Sequence, residues 1–425
     1  MKVVIVGGGF AGLTLANELS AQQFAEVTLV DKNNYHLFSP LLYQVATGFV
    51  EASNISYPFR RMFQHRKNLR FHMGELRQIV PEARVVVTTA GILSYDYLVL
   101  AMGAKTNYFG LYNVEQHALP MKTLDDALQL RNHLLLNIEK ASRTRDAMER
   151  QQLLTVVISG GGPTGVEIAG MLAEMKRNIL AKDYPELQNA TARIHLVTSA
   201  SVLLRPMSPK AQEVSLSVLS NLGVEVSLNT AVRDYADGLV SLSNGKTIAT
   251  SNFIWAAGIT AADAPGLGVI SLCDGKRIAV NSINKVICTS NIYAIGDQCF
   301  QSADPKYPKG HPQVVAVAIQ QAIHLAANFK RMHSGKWPIP FNYKEKGSMA
   351  IIAKYNAVAD LPFGSFKGFI AWLLWLVIHI VPIVGFGNKL KLCSNWFWSL
   401  ITNDPTLRLI IRPGRPTNYK ESKYR

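Results

Sequence analysis

The sequence predicts an α/β protein with two Rossmann-like dinucleotide-binding domains, the first interrupted by the second, followed by a C-terminal helical segment of different character. Three observations carry this. Val3–Leu19, VVIVGGGFAGLTLANEL, is a β-branched run of strand length, then G-x-G-x-x-G at Gly7, Gly9 and Gly12, then an apolar-periodic helix start. Val156–Leu172, VVISGGGPTGVEIAGML, repeats it at an offset of 153 with nine of seventeen positions identical, including Gly160, Gly162 and Gly165. Lastly, Phe369–Phe386 runs eighteen residues without a formal charge. Two glycine fingerprints imply two dinucleotides bound by one chain. The copies differ most tellingly where the first has Thr14 and the second Glu167, because phosphate binding has no use for an acid.

A chain of 425 residues with 48% hydrophobic and 17% charged residues has ample core for two or three domains and is not disordered. The formal charge is +15, of which residues 366–425 carry +7. That basic excess follows the most apolar stretch, which points to a membrane surface; no nucleic-acid-binding motif accompanies it. Cys273, Cys288, Cys299 and Cys393 include no C-x-x-C pair, which excludes a dithiol reductase. The ten histidines form no ligand-spaced cluster, so no metal is expected.

In chain order, Lys2–Val6 reads as a strand, Phe10–Ser20 as a helix and Glu26–Val30 as a strand ending at Asp31. Asp31 stands 24 residues after Gly7, where such folds place the carboxylate that accepts from an adenosine ribose hydroxyl. Phe10 and Ala11 in the loop and Lys32 after the acid complete this nucleotide set. His36–Gly48 suits a loop packed over a ring system. Tyr97–Ala101 is a strand, and Gly103 after it lets the backbone approach a ligand. Leu124–Arg150 reads as one long surface helix. In the second unit Arg193–Val197 is the next strand, and Thr198 stands where an acid would select NAD over NADP. Phe253–Ala257 is another strand, followed by Gly258. Ile292–Ile295 returns to the first unit, and Gly296-Asp297 places a carboxylate to accept from a ribityl hydroxyl. Pro312 precedes a helix expected over Gln313–Met332, which would put Gln313 and Gln320 on one face, with Gln321 pointing elsewhere. The expected division is 1–115 with 259–345, 116–258, and 346–425.

Phe369–Phe386 falls short of the roughly 20 residues of a span, and Pro382 and Gly385 break it. Leu392–Ile401 is a second apolar piece. A single span would also put Arg408, Arg412, Arg415, Lys420, Lys423 and Arg425 outside, against the positive-inside tendency. The expectation is a helix pair lying in one leaflet, with Trp372, Trp375, Trp396 and Trp398 at headgroup level.

The motifs GGGFAG, HLFSPLLYQVATG, AMGA, GGGPTGVE, WAAG, AIGD, AIQQ, KGSMAIIAKYNAV and LRLIIRP together resemble the type II NADH dehydrogenases, across essentially the whole chain. The resemblance implies FAD held non-covalently by the first glycine set with Asp31, Gly103 and Asp297. It implies NADH on the second set with Gly258, and a quinone approaching along the AIQQ helix. Glu167 matches a glutamate near the nicotinamide–flavin contact. The family pattern A-Q-x-A-x-Q has Ala316 in place of its first glutamine here; Gln313 is the expected substitute, and Lys346 a further quinone-side candidate. Thr198 predicts some NADPH use. The implied setting is the cytoplasmic face of a bacterial inner membrane, as a homodimer drawing on the quinone pool. The rival readings are a soluble NAD(P)H-dependent reductase of ferredoxin or small acceptors, a sulfide:quinone reductase, which a lone Cys299 argues against, and a nucleotide sensor without turnover.

Overall fold

The computed structural model describes residues 1–188, 190–268, 272–402 and 408–411. The elements used below are β1 (Lys2–Val6), α1 (Phe10–Ser20), β2 (Glu26–Asp31), α2 (Leu42–Ala46), β3 (Leu69–Met73), β4 (Tyr97–Leu100), β5 (Ala104–Thr106) and β6 (Leu119–Pro120). They continue with α3 (Leu124–Arg143), α4 (Ala147–Leu154), β7 (Thr155–Ser159), α5 (Pro163–Met175), β8 (Arg193–Val197), β9 (Val224–Ser227), β10 (Asn252–Trp255), β11 (Ile259–Ala261) and β12 (Ile292–Ala294). The last are α6 (Val315–His333), β13 (Ser348–Ala353), β14 (Asn356–Leu361), β15 (Gly364–Lys367), α7 (Gly368–Ile380) and α8 (Phe386–Thr402).

Two parallel five-stranded sheets organise the molecule. Their orders are β12-β4-β1-β2-β3 and β6-β10-β7-β8-β9, and β1 and β7 hold the same central place. Strands covered on both faces need continuous apolar sequence, which is why Val3–Val6 and Val156–Ser159 are all buried. The first sheet takes its outer strand β12 from 192 residues downstream of the end of β4, so the first unit is discontinuous in sequence. The helices after the glycine loops are covered differently. α1 packs against α6, whereas α5 packs against β13 of a three-stranded antiparallel sheet, β13-β14-β15. All eleven residues from Gly165 to Met175 are buried, as an all-round apolar helix requires.

Three expectations change. The helix read as Leu124–Arg150 ends at Arg143; Asp146 caps a new helix, accepting from the Met148 and Glu149 amides. Thr123 and Asp126 form a capping box at the start of α3, whose inner face buries Leu130, Leu134 and Leu135. The helix read from Gln313 begins at Val315, because Val314 is extended (φ −132°, ψ 155°) and serves as its cap. In the tail the break falls at 381–385, as Pro382 and Gly385 imply, but the tryptophans do not share one level. Trp372 and Trp375 are buried against the body with Ala371, Trp396 is partly buried, and only Trp398 of the four is exposed. No helix of the described residues is long and apolar enough to cross a membrane. Of the basic end, Arg408 pairs with Asp183, while Arg412, Arg415, Lys420, Lys423 and Arg425 lie outside the described residues.

Candidate active site

The two glycine loops are the same object built twice. Gly7 (φ +107°) and Gly160 (φ +125°) turn the chain at a φ other residues avoid, and a Cβ on either would lie 2.3 Å from a backbone oxygen, of Ala101 and Ala256 respectively. A Cβ on Gly12 or Gly165 would lie 1.8 Å from the oxygen of Gly7 or Gly160, which fixes helix close against strand. Nothing stands within 4 Å of Gly9 or Gly162, the N-caps of α1 and α5, and neither helix has a side-chain cap. The first-turn amides therefore face open space and suit a pyrophosphate.

Asp31 lies beside the first loop. Its two oxygens accept from Gly8 N–H at 2.6 Å and Asn33 N–H at 2.7 Å, leaving lone pairs for a ribose hydroxyl. Burial pushes its carboxyl above the ordinary range, against the two backbone bonds and the exposed Lys32. Phe10 sits edge-on to His36 and Phe38, and His36 Nδ1 meets the Gly8 oxygen at 3.0 Å. At the far side Gly296 (φ +73°) nestles between Ala11 and Ala318, so its turn joins the start of α1 to the start of α6. Gln321, expected to point elsewhere, accepts from Gly296 N–H at 2.7 Å. Asp297 is raised by burial, with Lys122 (4.0 Å) and Arg277 opposing. These residues fit a dinucleotide cofactor: an open helix N-terminus, a carboxylate at the end of β2 and a second beside the Gly296 turn.

Thr198 takes the place of Asp31 in the second unit. Its side chain sits under Gly161, where an added Cβ would come within 2.9 Å of Oγ1, and it brings no carboxylate to the site. Gly103 and Gly258 are linked by the two-stranded ribbon β5–β11, which pairs Ala104 with Ala261 and Thr106 with Ile259. Gly103 oxygen accepts from Ala262 and Gly258 oxygen from Asn107, so four residue steps along the ribbon, about 13 Å, separate the two glycines. Gly103 has open space before it, while Gly258 is covered by the Phe109 ring. Residues that sequence reasoning missed complete the frame. Lys122 reaches Asp297, and the buried Gln298 accepts from Met102 N–H and donates to Ala262.

Glu167 is buried on α5, on the face against β13. Burial raises its carboxyl well above the ordinary range, and the Ile351 backbone amide only partly opposes this. Burial thus favours the protonated form of this acid over what an ordinary glutamate shows. Gln313 and Gln320 do not share a helix face. Gln313 precedes α6 and donates to Asp297 oxygen at 2.8 Å, whereas Gln320 is clamped to the Lys344 backbone through both amide atoms. Lys346 is exposed. Cys299 is buried, its thiol pushed up to about 12, so it is no nucleophile.

The fold and site define a two-dinucleotide oxidoreductase. A pyridine nucleotide-disulphide oxidoreductase model matches residues 1–322 and an NDH2 C-terminal domain model residues 346–403. Two type II NADH:quinone oxidoreductases of Mycobacterium tuberculosis are similar: Ndh is 33% identical over 93% of this chain and 87% of its own, NdhA 35% over 93% and 86%. NDH2 of Plasmodium falciparum, solved in complex with NADH, has the same fold at TM-score 0.88 and 22% identity, covering 97% of this chain and 99% of that one. The chain belongs to the type II NADH:quinone oxidoreductase family of flavoproteins.

Proposed function

We infer that the chain oxidises NADH at one nucleotide site and passes two electrons, by way of non-covalently bound FAD, to a quinone, without pumping protons. The observation that carries this is the twin cradle: two equivalent glycine loops whose companion glycines, Gly103 and Gly258, are held about 13 Å apart along one ribbon. It is supported by relatives that bear the name NADH:quinone oxidoreductase along almost the whole chain. The flavin, when bound, supplies hydride acceptance and paired electron release.

The chain's own residues bind and orient. The first loop with Phe10, Ala11, Asp31, Lys32, Gly103, Gly296 and Asp297 holds FAD. The second loop with Thr198 and Gly258 holds NADH, and NADPH less well. The N-terminus of α6 opens beside Gly296, and its dipole favours negative charge on whatever ring lies there. Glu167 is the buried acid of the second loop helix, on the nicotinamide side. Gln320 acts on the quinone side by fixing the segment that leads to Lys346.

The outer face of α7 and α8 leaves Phe369, Ile370, Leu373, Val377, Phe386 and Phe397 exposed, beside Lys389 and Lys391. This face seats the chain on a lipid surface, the cytoplasmic face of a bacterial inner membrane, as a homodimer whose mass light scattering in detergent will read. The test is the flavin spectrum of detergent-purified protein, then NADH oxidation with and without a short-chain quinone. Bleaching by NADH with steady turnover only in the presence of quinone is the expected result. Bleaching without quinone turnover refutes it in favour of a soluble reductase, and absence of flavin refutes both.

A further inference from the structure

The end of β8 differs from its counterpart in the first unit by more than a missing carboxylate. In the first unit the middle glycine of the loop, Gly8, donates its N–H to Asp31. Its counterpart Gly161 is buried as Gly8 is, yet among the described residues its N–H donates to nothing. Buried backbone donors without an acceptor are rare. By the equivalence of the two loops, this one is aimed at the place that the Asp31 carboxylate holds in the first unit. That is where such folds set the 2′ position of the adenosine ribose.

The segment 198–205 closes around the same glycine. The Thr198 side chain lies under Gly161, and six residues later Leu204 N–H donates to the Gly161 oxygen at 2.8 Å. Thr198 Oγ1 accepts from Ala200 N–H at 3.3 Å, and the turn leaves Ser199 and Ser201 exposed. Leu204 is left-handed (φ +48°), uncommon for a residue with a side chain, and buried. Arg205 follows it, exposed, one residue from the bond to the glycine loop. Its guanidinium makes no ion pair or hydrogen bond with any described residue; only its backbone oxygen is used, by Gln212. Across the rim, the turn after β9 is tied on by Asn229 N–H, which donates to the Ala200 oxygen at 3.0 Å. No acid stands between Glu186 and Glu213, or between Glu225 and Asp234. The acid that does reach this segment, Asp360, is bound by the Ser208 N–H and hydroxyl at 2.7 and 2.9 Å.

We propose that this rim seats the 2′-phosphate of NADPH, with Arg205 as the cation that selects it. The proposal rests on the reading of the second loop as a pyridine-nucleotide site. A phosphate monoester carries about −1.5 to −2 charges at pH 7 and presents oxygens that only accept. The rim answers with donors, the Gly161 N–H and the Ser199 and Ser201 hydroxyls, and with a guanidinium suited to bind phosphate through two N–H groups. NADH brings a hydroxyl to the same place and has no use for the charge. Arg205 is thus a specificity-determining residue that stays clear of the reacting ring.

The test uses the flavin-loaded, full-length protein and calorimetric titration with adenosine 2′,5′-bisphosphate, with adenosine 5′-monophosphate as the control. The bisphosphate is expected to bind the wild type more tightly than the monophosphate, by a margin that shrinks as salt is raised. Arg205→Ala should cut that margin about tenfold or more, and Arg205→Lys should recover part of it, since lysine keeps the charge without the fork. In steady-state turnover Arg205→Ala should raise the ratio of the NADPH KM to the NADH KM by a similar factor. Equal affinity of the wild type for the two probes overturns the proposal, as does an unchanged margin in Arg205→Ala. An equal loss for both probes also overturns it, because the change then disturbs the shared nucleotide site. These titrations need no turnover. Bisphosphate binding that depends on Arg205, in a protein whose flavin neither nucleotide bleaches, would keep the phosphate seat and sink the oxidoreductase reading instead.

Discussion

Replacing Gly170 by alanine sets two physical effects of opposite sign against each other. In an isolated helix the change is favourable by about 0.8–1 kcal/mol, since alanine gives up less backbone entropy. In this fold the new methyl would start 1.5 Å from the Ile352 oxygen. Carbon–oxygen contacts settle at about 3.3–3.6 Å, so α5 and β13 must part by about 2 Å. Overpacking of a tight contact costs about 1–3 kcal/mol, and a 2 Å separation of two backbones belongs at the upper end. The net expectation is a loss of about 2 kcal/mol, with the Ile351 and Lys354 amides drawn away from Glu167 and Glu174. Differential scanning fluorimetry should show a fall of about 4 °C or less, given about 2–4 °C per kcal/mol in smaller proteins. Quinone turnover should fall with it, because the C-terminal sheet no longer lies on the acid face, while NADH still bleaches the flavin. A melting temperature at or above wild type would mean that helix propensity wins and that the close approach is not as described.

Other perturbations follow from the same geometry. With Thr198 in place of an acid, the wild-type protein should turn over NADPH measurably. Thr198→Asp should raise the NADPH KM about tenfold (about 1.4 kcal/mol) with little change for NADH; no NADPH turnover at millimolar concentration refutes this. The folded-state pKa of Glu167 lies above its unfolded value of about 4.3, so the stability of its neutral form is complete below that value and is lost as pH rises through the raised pKa. The melting temperature of wild type should therefore fall toward alkaline pH more steeply than that of Glu167→Gln, by about 1.4 kcal/mol per unit of elevation; parallel curves would contradict the burial argument. Gln313→Ala removes the amide that holds the Asp297 carbonyl, at about 0.5–1.5 kcal/mol. It should weaken FAD retention in a dialysis assay with the quinone KM unchanged, whereas a raised quinone KM would restore the helix-face reading.

What was legible in the sequence is what local chemistry determines. Strand, glycine loop and helix start are contiguous, so β1, α1 and β8 match their expected bounds, and comparing the repeats singles out Glu167 without any structure. The break of the tail at Pro382 and Gly385 was legible for the same reason. The misreadings are tertiary. Val314 is extended, so Pro312 does not start the helix and the seven-residue spacing of Gln313 and Gln320 means nothing. Trp372 and Trp375 are drawn inward with Ala371, on a face that composition alone does not reveal. The Lys354 amide reaches Glu174 on α5 from 180 residues away, and no spacing in the chain announces it.

The repeat also shows how one cradle came to do two jobs. The first and last glycines of the two loops match to a tenth of an ångström in the nearest contact that each forbids, so the turn and the helix start are the same in both units. The difference lies in the element that covers each loop helix. α1 meets α6, a helix whose side chains leave no backbone amide to offer, and its position 14 is a half-buried threonine. α5 meets the β13 strand, whose Ile351 amide acts on Glu167 and is followed by the Lys354 amide, which donates to Glu174. A buried carboxyl needs a donor, and only the second unit has a strand placed to supply one. The C-terminal sheet therefore does more than lead the chain to its apolar tail: it makes two acids tolerable inside an otherwise apolar helix, at the junction between the second glycine loop and the C-terminal helices.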